Sequence, residues 1–178
     1  MNRILIAFTA LLFIGPASAV IVEQKIGPYS VTFDLTNSSM QLNSSASYWD
    51  EYRDDSHPSV SWGTVYVVLK NRPSHEIADI KIIHSKTGTG LIFLPEGLGS
   101  RLEAQGFQNV KTYTRTIDGD KGGILTEARM LNGSSICYLA EYRLNRDTIV
   151  DITSWMPMDG GTGDLLNTIH VAELTYIG

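Results

Sequence analysis

The sequence predicts an α+β domain in which an antiparallel β-sheet meander is flanked by helices. In the second half, segments rich in β-branched and aromatic residues alternate with turn sequences, among them Asn132-Gly133, whose residues both accept a positive φ. Two further segments, residues 95–105 and 164–174, carry apolar side chains at helical spacing. Consecutive strands with helices set against the sheet are typical of this class.

The first half predicts strands on both sides of a long polar loop. Residues 20–36 alternate loosely between apolar and polar and are broken at Gly27, which predicts two short strands. Residues 37–60 are rich in Ser, Asn and Asp, and we interpret them as a surface loop with a short helix over 46–53. Residues 60–69 are β-branched and aromatic and predict a strand.

The rest of the chain contains clearer turn and helix-end residues than the first part. Residues 77–83 fit a strand or a short helix, and residues 91–94 predict a short buried strand. Pro95 suits the first turn of a helix, and Gly106 suits its end. Turn sequences then separate four predicted strands, at 110–117, 124–131, 135–144 and 148–155.

Residues 1–19 have the layout of a secretory signal peptide. Arg3 gives a basic start, residues 4–14 form an apolar run, and Ala17 and Ala19 are the small residues that precede a cleavage point. The apolar run is shorter than the ~20 residues that span a bilayer. We therefore expect one secreted or envelope-associated domain at 20–178, with no transmembrane segment after cleavage.

The charge of the chain argues against one class of binding partner, and its cysteine content limits its covalent chemistry. The 178-residue chain has a formal net charge of −5 and no cluster of Lys and Arg, which argues against nucleic-acid binding. Cys137 is the single cysteine, so no intrachain disulfide can form. Its apolar neighbours predict a buried side chain rather than a reactive thiol.

Part of the second half resembles the Mog1/PsbP-like superfamily. The similar features are the strand ending in Thr116-Ile117-Asp118-Gly119, the Gly122-Gly123 pair, the Asn132-Gly133 turn, segment 147–154 and the terminal helix. The resemblance covers roughly residues 95–174 and implies an α/β/α sandwich, with a central antiparallel sheet closed by a C-terminal helix. It also implies a binding or accessory role without enzymatic activity, by analogy of fold.

The turn between the predicted strands 110–117 and 124–131 is a candidate metal site. Asp118 and Asp120 flank Gly119, as oxygen ligands do in part of a calcium loop. Lys121 interrupts this pattern, and Arg129 stands where a calcium loop needs an acid. We favour a β-turn that uses Asp and Gly for their backbone preferences, with Ca²⁺ as the alternative and no other cofactor.

Other polar residues give weaker patterns. The four histidines show no metal-binding spacing, although His75 and His84 would meet if the segment between them formed a hairpin. Asn37, Asn43 and Asn132 each begin a sequon, which makes them candidate N-glycosylation sites in a secreted chain.

The aromatic and acidic stretch 48–55 is the candidate contact surface. Tyr48, Trp49, Tyr52 and Arg53 are residue types that anchor protein interfaces, and the aromatic ones also stack on sugar rings. The alternative, which the pattern favours, is a helix whose aromatic side chains cover the core.

These observations predict a secreted or envelope-associated, non-enzymatic binding or accessory protein that contacts another envelope protein. The alternative is an extracytoplasmic module that binds a cation or a glycan. A hydrolase of unrecognised type is a third hypothesis, which the sequence supports least because it contains no Gly-x-Ser-x-Gly motif.

Overall fold

The computed structural model describes residues 21–51, 60–85, 95–130 and 135–175. This part of the chain is built mainly from strands, with two α-helices and one short 3-10 helix. The strands are β1 (Ile21–Ile26), β2 (Tyr29–Asp34), β3 (Met40–Glu51), β4 (Val60–Leu69), β5 (Arg72–Ser85), β6 (Phe107–Ile117), β7 (Lys121–Met130), β8 (Ile136–Asn145), β9 (Thr148–Ser154) and β10 (His170–Glu173). The helices are α1 (Pro95–Ala104), α2 (Thr162–Thr168) and the 3-10 turn Met158–Gly160.

The strands form two antiparallel sheets. The larger has seven strands in the order β3-β4-β5-β9-β8-β7-β6, and the smaller has three in the order β1-β2-β10. After β5 the chain forms α1 and then β6, which lies at the far edge of the sheet, and it returns through β7 and β8. Strand β9 lies between β5 and β8 and pairs with both of them.

The main core lies on one face of the seven-stranded sheet, here called the inner face. The three-stranded sheet and α2 cover this face, and successive residues of each strand point alternately into and away from it. The largest buried side chains come from both sheets and from α2: Tyr29, Phe33, Ile80, Ile82, Leu125, Tyr142, Ile152, Leu165 and Leu166.

A second, smaller cluster lies on the opposite face, here called the outer face. Leu102 of α1 packs there with Phe107, Ala128 and Cys137. Cys137 alternates along β8 with Tyr138, which belongs to the main core, so the two clusters are on opposite sides of the sheet. The sequence prediction of a buried cysteine is confirmed.

The predicted fold class is wrong. The expected α+β meander flanked by helices, an α/β/α sandwich, is in fact a pair of antiparallel sheets in which strands dominate. Two segments account for most of the error, residues 37–60 and the C-terminal stretch. In both, pairing with a distant strand overrode a weak local preference.

The first error is the loop with a short helix over 46–53. Residues 40–51 instead form β3, which pairs with β4 and lies at an edge of the larger sheet. The register shifts between Asn43 and Tyr48, so the apolar positions before and after this irregularity are out of phase. That break hides the period-two pattern by which a strand is recognised.

The second error is the length of the last helix. The helix predicted over 164–174 ends at Thr168, and His170–Glu173 form β10 against β2. Ile169 donates its backbone N–H to the Leu165 carbonyl, and the chain then becomes extended. Pairing with the second edge of β2 outweighs two further turns of helix, which Ile169 and Val171 favour only weakly.

Several local predictions are confirmed. The two strands around Gly27, the strand over 60–69, α1 and the strands of the second half all form. Residues 77–83, whose sequence fits either a strand or a short helix, belong to β5. The Asn132-Gly133 turn, the strand over 91–94 and the signal peptide lie outside the described residues. In the described part, no helix is long and apolar enough to cross a membrane.

Candidate functional site

Of the two predicted metal ligands, Asp118 is buried and Asp120 is exposed. The Asp118 carboxylate accepts hydrogen bonds from Tyr142 Oη at 3.1 Å, His170 Nδ1 at 2.7 Å and Val171 N at 3.3 Å. Lys121 Nζ lies 3.1 Å away and forms an ion pair with it. These donors tie the β6–β7 turn to β8 and β10, which is a structural role for Asp118.

No group of three or more His, Cys, Asp or Glu side chains within the described ranges is placed to hold a metal ion. The calcium site at Asp118 and Asp120 therefore stays a prediction. His75 and His84 do not form a hairpin, because both lie on the single strand β5. Instead, His84 Nδ1 lies 3.1 Å from Tyr29 Oη and 3.0 Å from Thr148 Oγ1.

The structure separates the predicted contact residues. Tyr48 lies on the outer face of β3 with 45 % of its surface exposed, and its ring centroid is 6.4 Å from that of Tyr66. Trp49 points to the inner face, where its ring contacts the backbone at Gly27 and lies 5.6 Å from the Tyr29 ring. Tyr52 and Arg53 are outside the described residues.

The three sequon asparagines have different surroundings. Asn37 is exposed in the turn before β3. Asn43 lies on β3, and its side-chain oxygen accepts a hydrogen bond from Ser45 at 2.9 Å. Asn132 is outside the described residues. Glycosylation at all three stays a prediction.

A cleft of about 310 Å³ lies on the outer face, beside α1. We call it the acidic cleft. Its floor is formed by side chains of β5, β8 and β9, and its wall by α1, the start of β6 and the residue after β9. The floor residues are Asp79, Lys81, Cys137, Leu139, Glu141, Asp151 and Thr153, and the wall residues are Leu102, Gln105, Phe107 and Trp155.

The strand register explains why the charged residues meet. Glu141 on β8 lies directly opposite Asp151 on β9, and Asp151 lies directly opposite Lys81 on β5. Asp79 is two residues before Lys81 on the same face and is paired with Thr153. Directly opposite residues have Cβ atoms ~5 Å apart, so the four charged groups lie within one small area.

The Asp79 carboxyl is strongly perturbed by its surroundings. Burial raises its pKa from 3.8 to about 6, and the negative charge of Asp151 adds to this increase. A hydrogen bond with Thr153 and the positive charge of Lys81 lower the pKa, but they do not cancel the cost of burial. Asp79 therefore gains or loses its proton close to neutral pH, unlike an ordinary surface carboxyl.

The Cys137 thiol is another titratable group of the floor. Burial raises its pKa to about 12, and the charge of Asp79 contributes to the increase. Cys137 therefore stays protonated near neutral pH, and it contributes a small apolar surface rather than a nucleophile.

The wall of the cleft is aromatic and aliphatic. Trp155 keeps 42 % of its surface exposed, and its ring centroid lies 6.0 Å from that of Phe107. Its backbone N–H donates to the Ile77 carbonyl at 2.8 Å, which continues the ladder between β9 and β5. A large aromatic side chain is thereby held at the rim on a hydrogen-bonded backbone.

This arrangement can exchange a proton through Asp79 beside an apolar wall. Small-molecule sites usually combine apolar walls with a few convergent polar groups, and their volumes begin near 300 Å³. A carboxyl with a strongly shifted pKa inside such a cleft is a further sign of a functional site.

Of the residues that line this cleft, the sequence patterns point to Cys137 alone as a candidate, and only as a buried side chain. A signal was present, because Asp79 and Lys81 alternate with Ile80 and Ile82 in β5, and Asp151 lies between Val150 and Ile152 in β9. Charged residues such as Asp and Lys are disfavoured at the centre of a strand, so their presence there can indicate a functional role. The residues that they face could not be predicted, because β5 and β9 are far apart in the chain.

Comparison with family models, with curated proteins and with solved structures found no match. The resemblance to the Mog1/PsbP-like superfamily stays a prediction.

Proposed function

We propose that this chain is a non-enzymatic binding protein of the extracytoplasmic space, and that its small-molecule ligand lies in the acidic cleft. The observation that carries the proposal is the placing of Asp79, with a pKa of about 6, on a charged floor beneath an aromatic wall. The signal-peptide pattern of residues 1–19 supports the location.

The buried charge of the floor supports ligand binding over a purely structural role. A carboxylate placed in a poorly solvated position lowers stability unless its partners compensate, and the raised pKa of Asp79 shows that they do not. Groups with strongly shifted pKa values cluster at functional sites. The half-exposed Trp155 at the rim is the residue type that most often anchors a bound partner.

Binding in the cleft can be tested by replacing the rim tryptophan. Trp155→Ala and the wild type are compared by thermal shift against a panel of small amines, sugars and organic acids. We expect ligands that stabilise the wild type to lose about tenfold in affinity for the variant. Tyr113→Ala is the matched control, because Tyr113 is 41 % exposed and does not line the cleft. Equal loss in both variants, or no loss in Trp155→Ala, would contradict the proposal.

A second candidate function, contact with another envelope protein, is favoured by the place of Tyr48. It lies exposed on β3, an edge strand of the seven-stranded sheet, where an extended segment of a partner can add a strand. Tagged protein with Tyr48→Ala is compared with the wild type in affinity capture from the native envelope. Loss of one stoichiometric partner supports this function, and unchanged capture of that partner counts against it.

A further inference from the structure

We infer that the ligand of the acidic cleft is a neutral oligosaccharide, whose first sugar lies in the cleft and whose chain continues across the outer face over Tyr66 to Tyr48. This inference rests on the proposed function, and it adds the chemical class and the length of the ligand. It follows from three aromatic side chains on one face of the sheet and from the hydrogen-bonding groups that lie between them.

Aromatic side chains continue from the cleft to the edge of the sheet. Tyr66 on β4 lies directly opposite Asp79 on β5, and Asp79 lies directly opposite Thr153 on β9. Directly opposite residues point to the same face, so Tyr66 shares the outer face with the floor of the cleft. The Tyr48 ring centroid lies 6.4 Å from that of Tyr66, and a hydrogen bond joins the two side chains. We call Tyr48, Tyr66 and Trp155 the aromatic strip.

The aromatic strip is longer than the cleft. Trp155 stands two residues after Thr153, the residue that lies two strands across the sheet from Tyr66. The Cα atoms of Tyr66 and Trp155 are therefore ~12 Å apart, from the spacing between strands and the rise along them. Tyr48 adds a further ring beyond Tyr66. One pyranose ring stacks on one aromatic side chain, so a ligand that contacts the whole strip contains several linked rings.

The polar groups between the aromatic rings suit hydroxyl groups. In the described lining, Asp79 supplies a carboxyl and Lys81 an ammonium, while Thr153 and Gln105 supply groups that both donate and accept hydrogen bonds. A sugar hydroxyl can donate to a carboxylate and accept from an ammonium or an amide. An organic ammonium offers only donors to this lining and an organic carboxylate offers only acceptors, so each matches only part of it.

The aromatic strip supplies apolar surface of the kind that a sugar ring covers. Trp155 keeps 42 % and Tyr48 45 % of its surface exposed, and Tyr66 is half-buried. The C–H groups on one face of a pyranose carry a small positive charge, and they stack on the electron-rich face of an aromatic ring. The face of a sheet presents side chains rather than backbone N–H and C=O groups. It therefore favours a ligand that binds by stacking over a peptide that binds by adding a strand.

The test begins with a glycan array that carries neutral mono- to hexasaccharides of glucose, N-acetylglucosamine, mannose, galactose and xylose. The strongest ligand and its shorter homologues, down to the monosaccharide, are then titrated by calorimetry at pH 7.5. Trp155→Ala removes the ring at the cleft, Tyr66→Ala removes a ring outside it, and Tyr66→Phe keeps that ring. Tyr113→Ala is the control, because Tyr113 is 41 % exposed and lies opposite the core residue Leu125, on the inner face.

We expect the wild type to bind the trisaccharide about tenfold more tightly than the monosaccharide, and Trp155→Ala to weaken the binding of both by about tenfold. Tyr66→Ala should remove most of the gain in affinity with chain length, and Tyr66→Phe should restore most of it. Tyr113→Ala should bind every homologue as the wild type does. Partial unfolding cannot produce this pattern, because it would weaken the binding of long and short homologues equally.

The outcomes separate the ligand class from the proposed function. If no neutral glycan binds, but another compound of the thermal-shift panel binds and loses affinity in Trp155→Ala, the ligand class is wrong and the proposed function stands. If a glycan binds but its affinity does not rise with chain length, or is unchanged in Tyr66→Ala, the inference is overturned. If no glycan and no other compound binds the wild type at millimolar concentration, both the inference and the proposed function are overturned.

Discussion

Asp79 lies in the acidic cleft at a cost to the stability of the fold. Its pKa is about 6 in the folded protein and 3.8 for an unperturbed aspartate. Because the folded pKa is the higher of the two, the folded state binds the proton more tightly than the unfolded state does. The contribution of Asp79 to stability is therefore most favourable below pH 3.8 and is lost as the pH rises through 6.

We predict that Asp79→Asn stabilises the protein at neutral pH. The amide keeps the shape of the side chain and removes the buried charge, so the free energy of unfolding should rise by on the order of 2 kcal/mol at pH 7.5. The gain should shrink as the pH is lowered from 6 towards 4, because the wild-type carboxyl is then protonated. Urea denaturation at several pH values measures this, and a gain that does not change with pH would contradict it.

Asp118 is a buried carboxylate with a different role, since four donors surround it. Its φ is +50°, a value that Asn also adopts readily, so Asp118→Asn changes the charge and hydrogen bonding without straining the backbone. We expect a loss of about 1–3 kcal/mol in the free energy of unfolding, measured by urea denaturation. The exposed neighbour provides the control, because Asp120→Asn should change stability by less than ~0.5 kcal/mol. Equal effects in the two variants would contradict the role assigned to Asp118.

At the scale of the elements, Trp49 connects β3 with the first hairpin and with β4. A Cβ atom at Gly63 would lie 2.6 Å from Trp49 Cε3 and 2.7 Å from Ile26 Cδ1, both far inside normal contact. Gly27 is restricted in the same way, and it also has a positive φ of +51°. The glycines make room for the indole ring, which lets the edge strand β3 pack against the smaller sheet.

We predict that Gly63→Ala destabilises the protein by about 1–3 kcal/mol through overpacking against Trp49. Gly122→Ala is the matched control on another strand, because a Cβ atom there would have no neighbour within 4 Å. Combining Gly63→Ala with Trp49→Leu should recover part of the loss, since the smaller side chain relieves the contact. Thermal unfolding is measured for the wild type, the single variants Gly63→Ala, Trp49→Leu and Gly122→Ala, and the double variant. An additive double variant would show that Trp49 is not the cause.

The elements differ in how far the sequence predicts them. The hairpin of β1 and β2 and the strands β6 to β9 follow from short-range alternation and turn residues, and α1 follows from its start and end signals. Strand β3 cannot be predicted from the sequence pattern, because the irregularity between Asn43 and Tyr48 breaks the alternation of apolar and polar residues. Strand β10 cannot be predicted from the sequence pattern either. Ile169 and Val171 fit a helical pattern, and only the pairing with β2 makes this segment a strand.

At the scale of the whole molecule, the decisive feature is the pairing of β9 with β5. The sequence predicts a consecutive meander from β6 to β9, and this part is observed. Nothing local indicates that β9 also pairs with β5 and thereby joins the first and second halves in one sheet. The acidic cleft exists only because of this pairing, which places Asp79 and Lys81 beside Asp151. Its residues were therefore beyond the reach of local sequence patterns.

The two faces of the large sheet have separate roles in this account. The inner face is covered by the smaller sheet and α2 and supplies most of the core. The outer face carries the charged row of the floor, and α1 packs at one side of it. If the proposed function is right, stability and binding are carried by opposite sides of the same strands, as expected where alternate residues point in opposite directions.

The most direct test of the central claim is an NMR titration of the ¹⁵N-labelled protein with the compound of the thermal-shift panel that stabilises it most. Backbone amide shifts are followed residue by residue. We predict saturable shifts concentrated on α1 and on the parts of β5, β8 and β9 that hold Asp79, Glu141 and Asp151, with the Trp155 indole N–H among the largest. Saturable shifts centred elsewhere, on β3 or around Asp118, or no shifts at a millimolar concentration of the compound, would contradict the claim.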